Sequence, residues 1–277
     1  MKWTIVVMCI LAFIPIASGQ TTSTYDTGIG HGQPLIPTAQ SKLPDTLSPV
    51  AVDWHYAEGM LTLHLVNNSN KDITAYNISI SRKYADGSAD TPGSSEMTEE
   101  SLGGFIYSQM ARDGERREDG TFAAGTSRYQ HMPETKDVVD VTAVVDVVLF
   151  ADATAFVQNE RGFKRMMAFR QGELMAMRKV DEIIRRALDS TSTSPASAAL
   201  AELTPLLVDT MGRNHAPDDP EQNQETELRS GIDHLKNVRQ VKVSEREYLT
   251  RYAEELEKRI ELMKPHANVS VNLVEVR

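Results

Sequence analysis

Histidine is the first residue type in this chain to consider for metal chemistry, because neutral imidazole is the commonest metal ligand in proteins. The 277 residues include seven histidines, but no two lie three to five positions apart, and no His-x-His or His-Glu-x-x-His motif occurs. His55 and His64 would come near one another only across a hairpin turn at Glu58-Gly59. We interpret His64, which has apolar neighbours, as a packed core histidine. The sequence therefore predicts no metal site and no cofactor.

Three oxygen-bearing side chains alternate after a predicted strand, as they do at the start of a calcium-binding loop: Asp86, Ser88 and Asp90. An EF-hand loop needs glycine at its sixth position and a bidentate glutamate at its twelfth, where this chain has Thr91 and Met97. The EF-hand is thereby excluded. We interpret the segment as a glycine-containing turn with solvated acids rather than as a looser calcium site.

Asp146 is the carboxylate most suggestive of catalysis, because it lies within a valine-rich segment where burial would raise its pKa. It shares the even-numbered face of that segment with Asp140 and Thr142, so we predict an exposed or edge position for it. No Gly-x-Ser-x-Gly or Ser-x-x-Lys motif is present, and no catalytic residue is assigned. A hydrolase built from carboxylates that meet only in the folded chain is the alternative. It would require a deep pocket lined by two or more members of one set: Asp140, Asp146, Asp152 and His131.

The first 19 residues have the charge and the apolar length of a secretory signal peptide. Lys2 provides the positive end, positions 5–16 are apolar, and Ala17-Ser18-Gly19 places small residues before Gln20. The apolar run is too short to span a bilayer, which needs roughly 17–25 residues. We predict cleavage after residue 19 and export to the periplasm or the extracellular space of a bacterium, with no transmembrane segment in the mature chain.

Removal of the signal leaves 258 residues (277 − 19) and takes away Cys9, the single cysteine of the chain. Thiol catalysis, disulfides and cysteine-ligated metals are thereby excluded for the mature form. The formal charge of −10 becomes −11 without Lys2. Because nucleic-acid affinity comes mainly from clustered Lys and Arg, we expect no nucleic-acid partner.

The elements that would position any site fall into two regions. Residues 20–48 are rich in Thr, Ser, Gly, Pro and Gln without an apolar period, which predicts a disordered leader or linker. Alternating apolar residues then predict a β domain over 49–157, in which 102–110 is a short helix or an edge strand. The strands are predicted at 50–56, 60–66, 73–81, 121–129 and 138–150. The last strand should be central because it is densest in β-branched residues, with its odd-numbered face on the core.

Segments such as Met60-Leu-Thr-Leu-His-Leu-Val66 and Val144-Val-Asp-Val-Val-Leu-Phe150 are short strands joined by tight turns. Their spacing resembles that of an immunoglobulin-like or fibronectin-type β-sandwich. The resemblance covers 49–157 and implies an antiparallel sandwich of two sheets. The cysteine pair of antibody domains is absent, and the architecture implies no particular activity, because it hosts many functions.

Apolar residues recur at the helical period through 158–264, which predicts a helical region of three or four helices. The longest helix is predicted from Asn159 to Leu188, and a shorter one over 198–211 is interrupted by Pro205. A last helix begins at the capping box Ser244-Glu-Arg-Glu247. Residues 265–277 are predicted to be a C-terminal tail or an edge strand.

These features together predict an α+β protein, an antiparallel immunoglobulin-like β-sandwich followed by a helical C-terminal region. The predicted function is that of an exported, non-catalytic protein that binds another protein or a component of the cell envelope, because no motif concentrates catalytic groups. The alternative is a periplasmic or secreted hydrolase with spatially assembled carboxylates.

Overall fold

The computed structural model describes residues 48–91, 95–111, 120–212, 217–240 and 242–271. The signal predicted at 1–19 and all but the last residue of the predicted leader lie outside the described residues. The strands are β1 (Val50–Ala57), β2 (Met60–Asn67), β3 (Ile73–Tyr84), β4 (Ser95–Glu100), β5 (Ser127–Pro133), β6 (Val138–Phe150), β7 (Thr154–Val157) and β8 (Ser270–Val271). The helices are α1 (Leu102–Met110), α2 (Glu160–Asp189), α3 (Pro195–Gly212), α4 (Glu225–Asn237) and α5 (Glu245–His266). None of the helices in this described part is both long and apolar enough to cross a membrane.

Strands β1, β2 and β5 form an antiparallel sheet in that order. β1 and β2 are joined by Glu58-Gly59, where both residues have positive φ (52° and 77°), as the twist of a two-residue hairpin requires. The predicted hairpin is confirmed, and so is the inward face of β1. Val50 and Val52 are buried, and Trp54 and Tyr56 pack against the same core.

The second sheet has five strands in the order β4-β3-β6-β7-β8. Its first four strands pair antiparallel, whereas the short β8 pairs parallel with β7. β6 lies in the middle of the sheet, as its density of β-branched residues predicted. The C-terminal residues of the described chain thus extend the larger sheet.

β6 contains a β-bulge at Asp146. Strand β3 pairs Asn77 with Val147 and Ile78 with Val145, so Asp146 is the extra residue between two consecutive pairs. The extra residue reverses the alternation of the strand. Val145 faces the three-stranded sheet, but Val147 faces the helices. The prediction that the odd-numbered residues of β6 share one core face is therefore wrong from residue 147 onward, and it is also wrong at Val139, which is exposed while Val138 is buried.

The two sheets pack face to face around one apolar core. Its inward side chains come from both sheets and include Leu61, Leu63, Leu65, Ile78, Ile80, Val145 and Val148. At one side of this core, the Glu99 carboxylate on β4 accepts a bond from Gln130 Nε2 on β5 (3.0 Å) and pairs with Arg128. At the opposite side β1 lies over β6, where the Tyr56 hydroxyl donates to Asp137 (3.1 Å).

The other face of the larger sheet is covered by α2. Ala75, Val147 and Leu149 pack there against Met166 and Met167. The remaining helices surround α2 and build a second apolar core that includes Leu174, Val180, Ile184, Leu203, Leu228, Leu249 and Leu256. The molecule therefore has three layers, which are the small sheet, the large sheet and the helices.

Local signals for the helix ends are largely confirmed. Asn159 caps α2 by accepting bonds from the backbone N–H groups of Arg161 and Gly162. Ser244 caps α5 by accepting from the N–H of Glu247 (3.2 Å), as the capping box predicted. Two elements differ from their predictions. α3 continues through Pro205, and the strand expected at 121–129 lies further along the chain as β5.

The predicted immunoglobulin-like sandwich is wrong, although the chain is α+β. α1 lies between β4 and β5, and β8 follows the last helix, so strands and helices are mixed along the chain instead of following one another. In such a sandwich, outward-facing residues of both sheets are polar. Here the outer face of the larger sheet is apolar and buried, since Val147 and Leu149 pack against α2 on that side.

Candidate functional site

The side of the three-stranded sheet that points away from the core carries three histidines. We call this side the outer sheet face. Its central side chains form two rows across the strands, since residues opposite one another in an antiparallel pair share a face. The first row is Asp53, His64 and Tyr129, and the second is His55, Thr62 and His131.

A side-chain contact between β2 and β5 holds each row. The His64 and Tyr129 rings stack with their centroids 4.7 Å apart and their planes 18° from parallel. In the second row Thr62 Oγ1 and His131 Nδ1 are hydrogen-bonded at 3.0 Å. The rings are accessible, and Tyr129 keeps half of its surface exposed (50%). His64 is half-buried against Tyr129 on this face rather than packed in the core, because only the other face of β2 is covered.

The outer sheet face bears one formal charge, the carboxylate of Asp53. The other outward positions of its strands are Ala51, His55, Ala57, Met60, Thr62, His64, Val66, Ser127, Tyr129, His131 and Pro133. Rings, hydroxyls and small apolar groups therefore dominate a flat and accessible surface. Such a surface can stack on and hydrogen-bond to a partner without strong electrostatic selection.

A second polar constellation lies inside the helical layer. We call it the buried ion cluster, and its members are Glu100, Arg170, Glu173, Glu227 and Arg259. Arg170 on α2 is fully buried. Its Nε and Nη2 atoms each donate to the Glu100 carboxylate at 3.0 Å, and Nη2 also donates to Thr74 Oγ1 at 3.0 Å. This fork ties α2 to the edge of the larger sheet.

Arg259 on α5 forms the other ion pair of the cluster. Its Nη2 atom donates to Glu227 Oε1 on α4 at 2.9 Å, and its guanidinium lies over the Tyr107 ring of α1 (4.9 Å). Glu173 on α2 lies near both pairs. Burial raises the pKa of the Glu173 carboxyl to about 8, and the Glu227 and Glu100 carboxylates add to the shift. Glu173 is thus the protonated carboxyl of the cluster at neutral pH.

His266 lies beside the cluster at the end of α5. Burial, together with the positive charge of Arg170, lowers the pKa of this imidazole to about 4. Two buried nitrogen atoms, Arg170 Nη1 and His266 Nδ1, have no hydrogen-bond partner among the described residues. The cluster thus contains two ion pairs and one raised-pKa carboxyl, and the His266 imidazole lies next to it.

Two grooves lie on the helical layer. A groove of about 530 Å³ is lined by α3, α4 and α5 with Ser194, Ala196, Ser197, Leu200, Leu235, Lys236 and Glu245. A wider groove of about 1040 Å³ between α1 and α5 is lined by Gln109, Met110, Glu254, Glu257, Lys258, Glu261 and Leu262. No member of the buried ion cluster lines either groove. We therefore assign the cluster to the packing of the helices, where an unpaired charge would be costly.

The structure does not bring the predicted hydrolase residues together. Asp140 pairs with Lys83 near one end of β6 (2.9 Å), and Asp152 pairs with Lys71 beyond the other end (2.7 Å). Asp146 is buried and accepts a hydrogen bond from the Ser79 hydroxyl, so its predicted exposed position is wrong. The reason is the bulge, which takes Asp146 out of the alternation. His131 lies on the outer sheet face, and none of the four residues lines either of the two grooves described above.

The oxygens of the calcium-like segment already accept bonds from protein groups. The Asp86 carboxylate accepts from the Ser88 N–H (2.9 Å), and hydrogen bonds to Ser88 lower the pKa of Asp86 to about 2. Asp90 accepts from Arg82 Nη1 (2.9 Å) and from the Tyr84 hydroxyl (3.0 Å). Among the described residues, no group of three or more His, Cys, Asp or Glu side chains could hold a metal ion.

The residues that sequence reasoning missed are the partners supplied by pairing and packing. Tyr129 joins the outer sheet face through the pairing of β2 with β5, strands separated by about 60 residues of chain. Arg170 did leave a signal. It lies four residues after Met166 and four before Leu174, within the apolar stripe of α2, where a charged residue implies a buried partner.

Comparisons with known proteins leave the family of this chain open. No protein-family model matches it, and no curated protein matches it at a significant level. One solved structure does match, an X-ray structure at 1.85 Å of a hypothetical protein from Peptoclostridium difficile 630. The two are 13% identical over 42% of this chain and 89% of that chain, with a TM-score of 0.25. At that score the likeness shows neither a shared fold nor a shared function.

Proposed function

We propose that this chain is an exported, non-catalytic protein that binds another protein or a component of the cell envelope through the outer sheet face. The observation that carries the proposal is the pair of ordered rows on that face, in which imidazole, phenol and hydroxyl groups remain accessible. Side chains that stack and hydrogen-bond across strands present fixed groups to a partner, which reduces the entropy lost on binding.

Export is the second part of the proposal. It rests on the charged start, the apolar run and the small residues of positions 1–19. The mature chain would have no cysteine, so the packing described above would serve equally well in an oxidising compartment. The stability of the folded protein outside the cytoplasm would then depend on pH rather than on redox state.

The chemistry of the outer sheet face favours a partner with few charges. Asp53 is the one formal charge among its outward positions, and the mature chain as a whole is strongly acidic. A phosphate-rich polymer would be repelled by the molecule and would find no Lys or Arg on this face. Hydroxyl-rich glycan and neutral protein surfaces both satisfy the available donors and acceptors.

Affinity capture from the envelope of the producing bacterium tests the proposal. Immobilised mature chain is compared with a His64→Ala/Tyr129→Ala variant, which removes the stacked pair, and with Val208→Ala as the matched control. Val208 is 65% exposed on α3, away from the sheet. We expect a captured component that the control retains and the double variant loses. Protease treatment of the extract before capture separates a protein partner from an envelope polymer.

Equal capture by the double variant would show that another surface binds the component. Recovery of the chain alone, with no other molecule, would refute a binding function for it. Folding of both variants is checked by thermal unfolding, since neither substitution enters an apolar core.

A further inference from the structure

The free edge of β1 differs from the edges formed by β4 and β5. An exposed edge usually carries Lys, Pro, a bulge or clustered charge that prevents another strand from pairing with it. β4 is protected by three glutamates in six residues, and β5 contains Arg128 and ends at Pro133. β1 has the sequence Val-Ala-Val-Asp-Trp-His-Tyr-Ala, without Lys, Arg, Pro or Gly. Its register with β2 runs without a bulge over all eight residues.

The backbone of β1 presents alternate residues to this edge. The N–H of Asn68 donates to the Pro49 carbonyl (2.9 Å), which continues the register of Val50 with Asn67. In an antiparallel ladder every second residue bonds to the same neighbour, so the odd-numbered residues of β1 bond to β2. Val52, Trp54 and Tyr56 therefore direct their N–H and C=O groups away from β2, toward the free edge of the sheet. Their side chains point into the core. No backbone hydrogen bond of these three residues to another described residue is found on that side.

We propose that a second copy of this chain adds to the free edge of β1 in antiparallel orientation, with Trp54 opposite Trp54 of the second copy. The two small sheets then form one continuous six-stranded sheet about a two-fold axis. Strand addition of this kind draws affinity from main-chain hydrogen bonds and register from the side chains. The proposal concerns self-association and is independent of the outer sheet face having another partner.

The side chains of β1 select this register. A two-fold axis normal to the sheet places solvent-facing side chains of one copy opposite solvent-facing side chains of the other. These residues all have odd numbers in β1, so the residue numbers of each opposite pair add to an even sum. A sum of 108 places Asp53 opposite His55 of the second copy, twice by symmetry, so that a carboxylate meets an imidazole. A sum of 106 would place Asp53 opposite itself, and like charges directly opposite one another repel. A sum of 110 would place His55 opposite itself and leave Asp53 opposite Ala57.

The same register is favourable on the inward side and for the backbone. Trp54 pairs with its copy, and Val52 pairs with Tyr56 of the second copy, so half-buried Trp54 and Tyr56 gain apolar neighbours. Val52, Trp54 and Tyr56 of each copy, whose backbone groups point to the free edge, form hydrogen-bonded pairs across the interface. These pairs make about six N–H···O bonds in all. The pairing thus satisfies the backbone groups of β1 that bond to no other part of the described chain.

Sedimentation velocity of the mature chain from about 1 to about 200 µM tests self-association, because a reversible dimer depends on concentration. Trp54 provides an independent signal, since Trp3 is the other of the two tryptophans and leaves with the predicted signal. We expect twice the monomer mass at high concentration, together with a blue shift of Trp54 emission over the same range. A monomer at every concentration would overturn the proposal.

Charge substitutions test the register. Asp53→Lys places two lysines opposite histidines and should raise the dimer dissociation constant about tenfold. Asp53→Lys/His55→Glu places a lysine opposite a glutamate in both symmetric pairs and should bring the constant back near the wild-type value. Ser127→Lys, on the far strand of the same face, is the control and should leave the constant unchanged. A dimer that Asp53→Lys leaves intact, or that the double variant does not restore, would overturn the proposed register.

Discussion

Glu173 is a neutral carboxyl among charged neighbours, and the stability of the protein should depend on pH through it. The pKa of Glu173 is about 8 in the folded chain and about 4.5 when unfolded. The folded chain therefore holds a proton that the unfolded chain has released between these values. This contribution to stability is fully present below pH 4.5 and is lost as the pH rises through 8.

Glu173→Gln should abolish this loss, because glutamine keeps the shape of the neutral acid and cannot ionise. We expect its unfolding free energy to match that of the wild type near pH 4.5 and to exceed it by about 2–4 kcal/mol at pH 9. Urea unfolding at a series of pH values measures the difference. Glu182→Gln, an exposed carboxyl on the same helix, is the control. A constant difference between wild type and Glu173→Gln across this range would show that Glu173 does not titrate as described.

His266 imposes a limit on the acid side. Its pKa is about 4 in the folded chain, below its usual value of 6.5, so folding disfavours the charged imidazole. The stability that it contributes is complete above pH 6.5 and declines as the pH falls toward 4. His266→Gln should therefore be more stable than the wild type by about 2 kcal/mol near pH 4 and unchanged or weaker near pH 7. Acid titration followed by circular dichroism measures this, with exposed His55→Gln expected to follow the wild type.

For single residues, the sequence indicated which side chains were notable but not what surrounds them in the folded chain. Asp146 and His64 were recognised as notable, yet the first is buried at a bulge and the second stacks on Tyr129. Glu173 gave no signal at all, because glutamate on an amphipathic helix is usually solvated. Its environment is set by Glu100, Glu227 and Arg259, which come from three other elements.

At the scale of elements, the close approach of α2 to the 3₁₀ turn Pro220–Gln222 depends on a glycine. A Cβ atom at Gly172 would lie 2.5 Å from the carbonyl oxygen of Asn223, closer than van der Waals contact allows. Gly172→Ala should lower the unfolding free energy by about 1–3 kcal/mol, because the turn must move away from the helix. Chemical denaturation measures the loss.

Gly103→Ala is the matched control within another helix. A Cβ atom there would have no neighbour within 4 Å, and alanine favours helix over glycine by up to about 1 kcal/mol. Its stability should equal or exceed that of the wild type. Equal denaturation midpoints for Gly172→Ala and the wild type would contradict the described contact.

Most elements were predictable from the sequence because their signals are local. The limits of β6, the start of α5 at Ser244 and the turn at Glu58-Gly59 all follow from neighbouring residues. The phase of β6 was not predictable, because an alternating Val-rich segment contains no mark for the one residue that leaves the ladder. Asp146 determines which of the two apolar cores each side chain after it faces.

At the scale of the whole molecule, the three layers follow from the end of β6, where the residues of both faces are apolar. Because both faces are apolar after Asp146, the helices must cover the second face. The apolar end of the outer face of β6 predicted that the following helix covers it, and α2 does so, but over Val147 and Leu149 rather than over Val148 and Phe150.

The predicted signal yields a test on the intact protein. When the full chain is expressed in a bacterial host, the exported form should begin at Gln20 and lack the mass of residues 1–19. Intact-mass spectrometry of the extracytoplasmic fraction measures this. Ala17→Arg, which places a large charged residue three positions before the cut, should leave the signal attached. A full-length chain that stays in the cytosol would contradict export.

The unprotected edge of β1 also bears on the order in which an exported chain folds. A chain that crosses a membrane from its N terminus releases β1 and β2 first, and their two-residue turn allows the hairpin to form within microseconds. β5, which covers the far edge of β2, emerges about 60 residues later. During that interval the hairpin has two free edges and no core beneath it, which exposes it to mispairing with other emerging chains. Once β5 has added, β1 and β5 are the two edge strands of the described sheet, and β1 is the one without Lys, Arg or Pro to discourage pairing with a further strand.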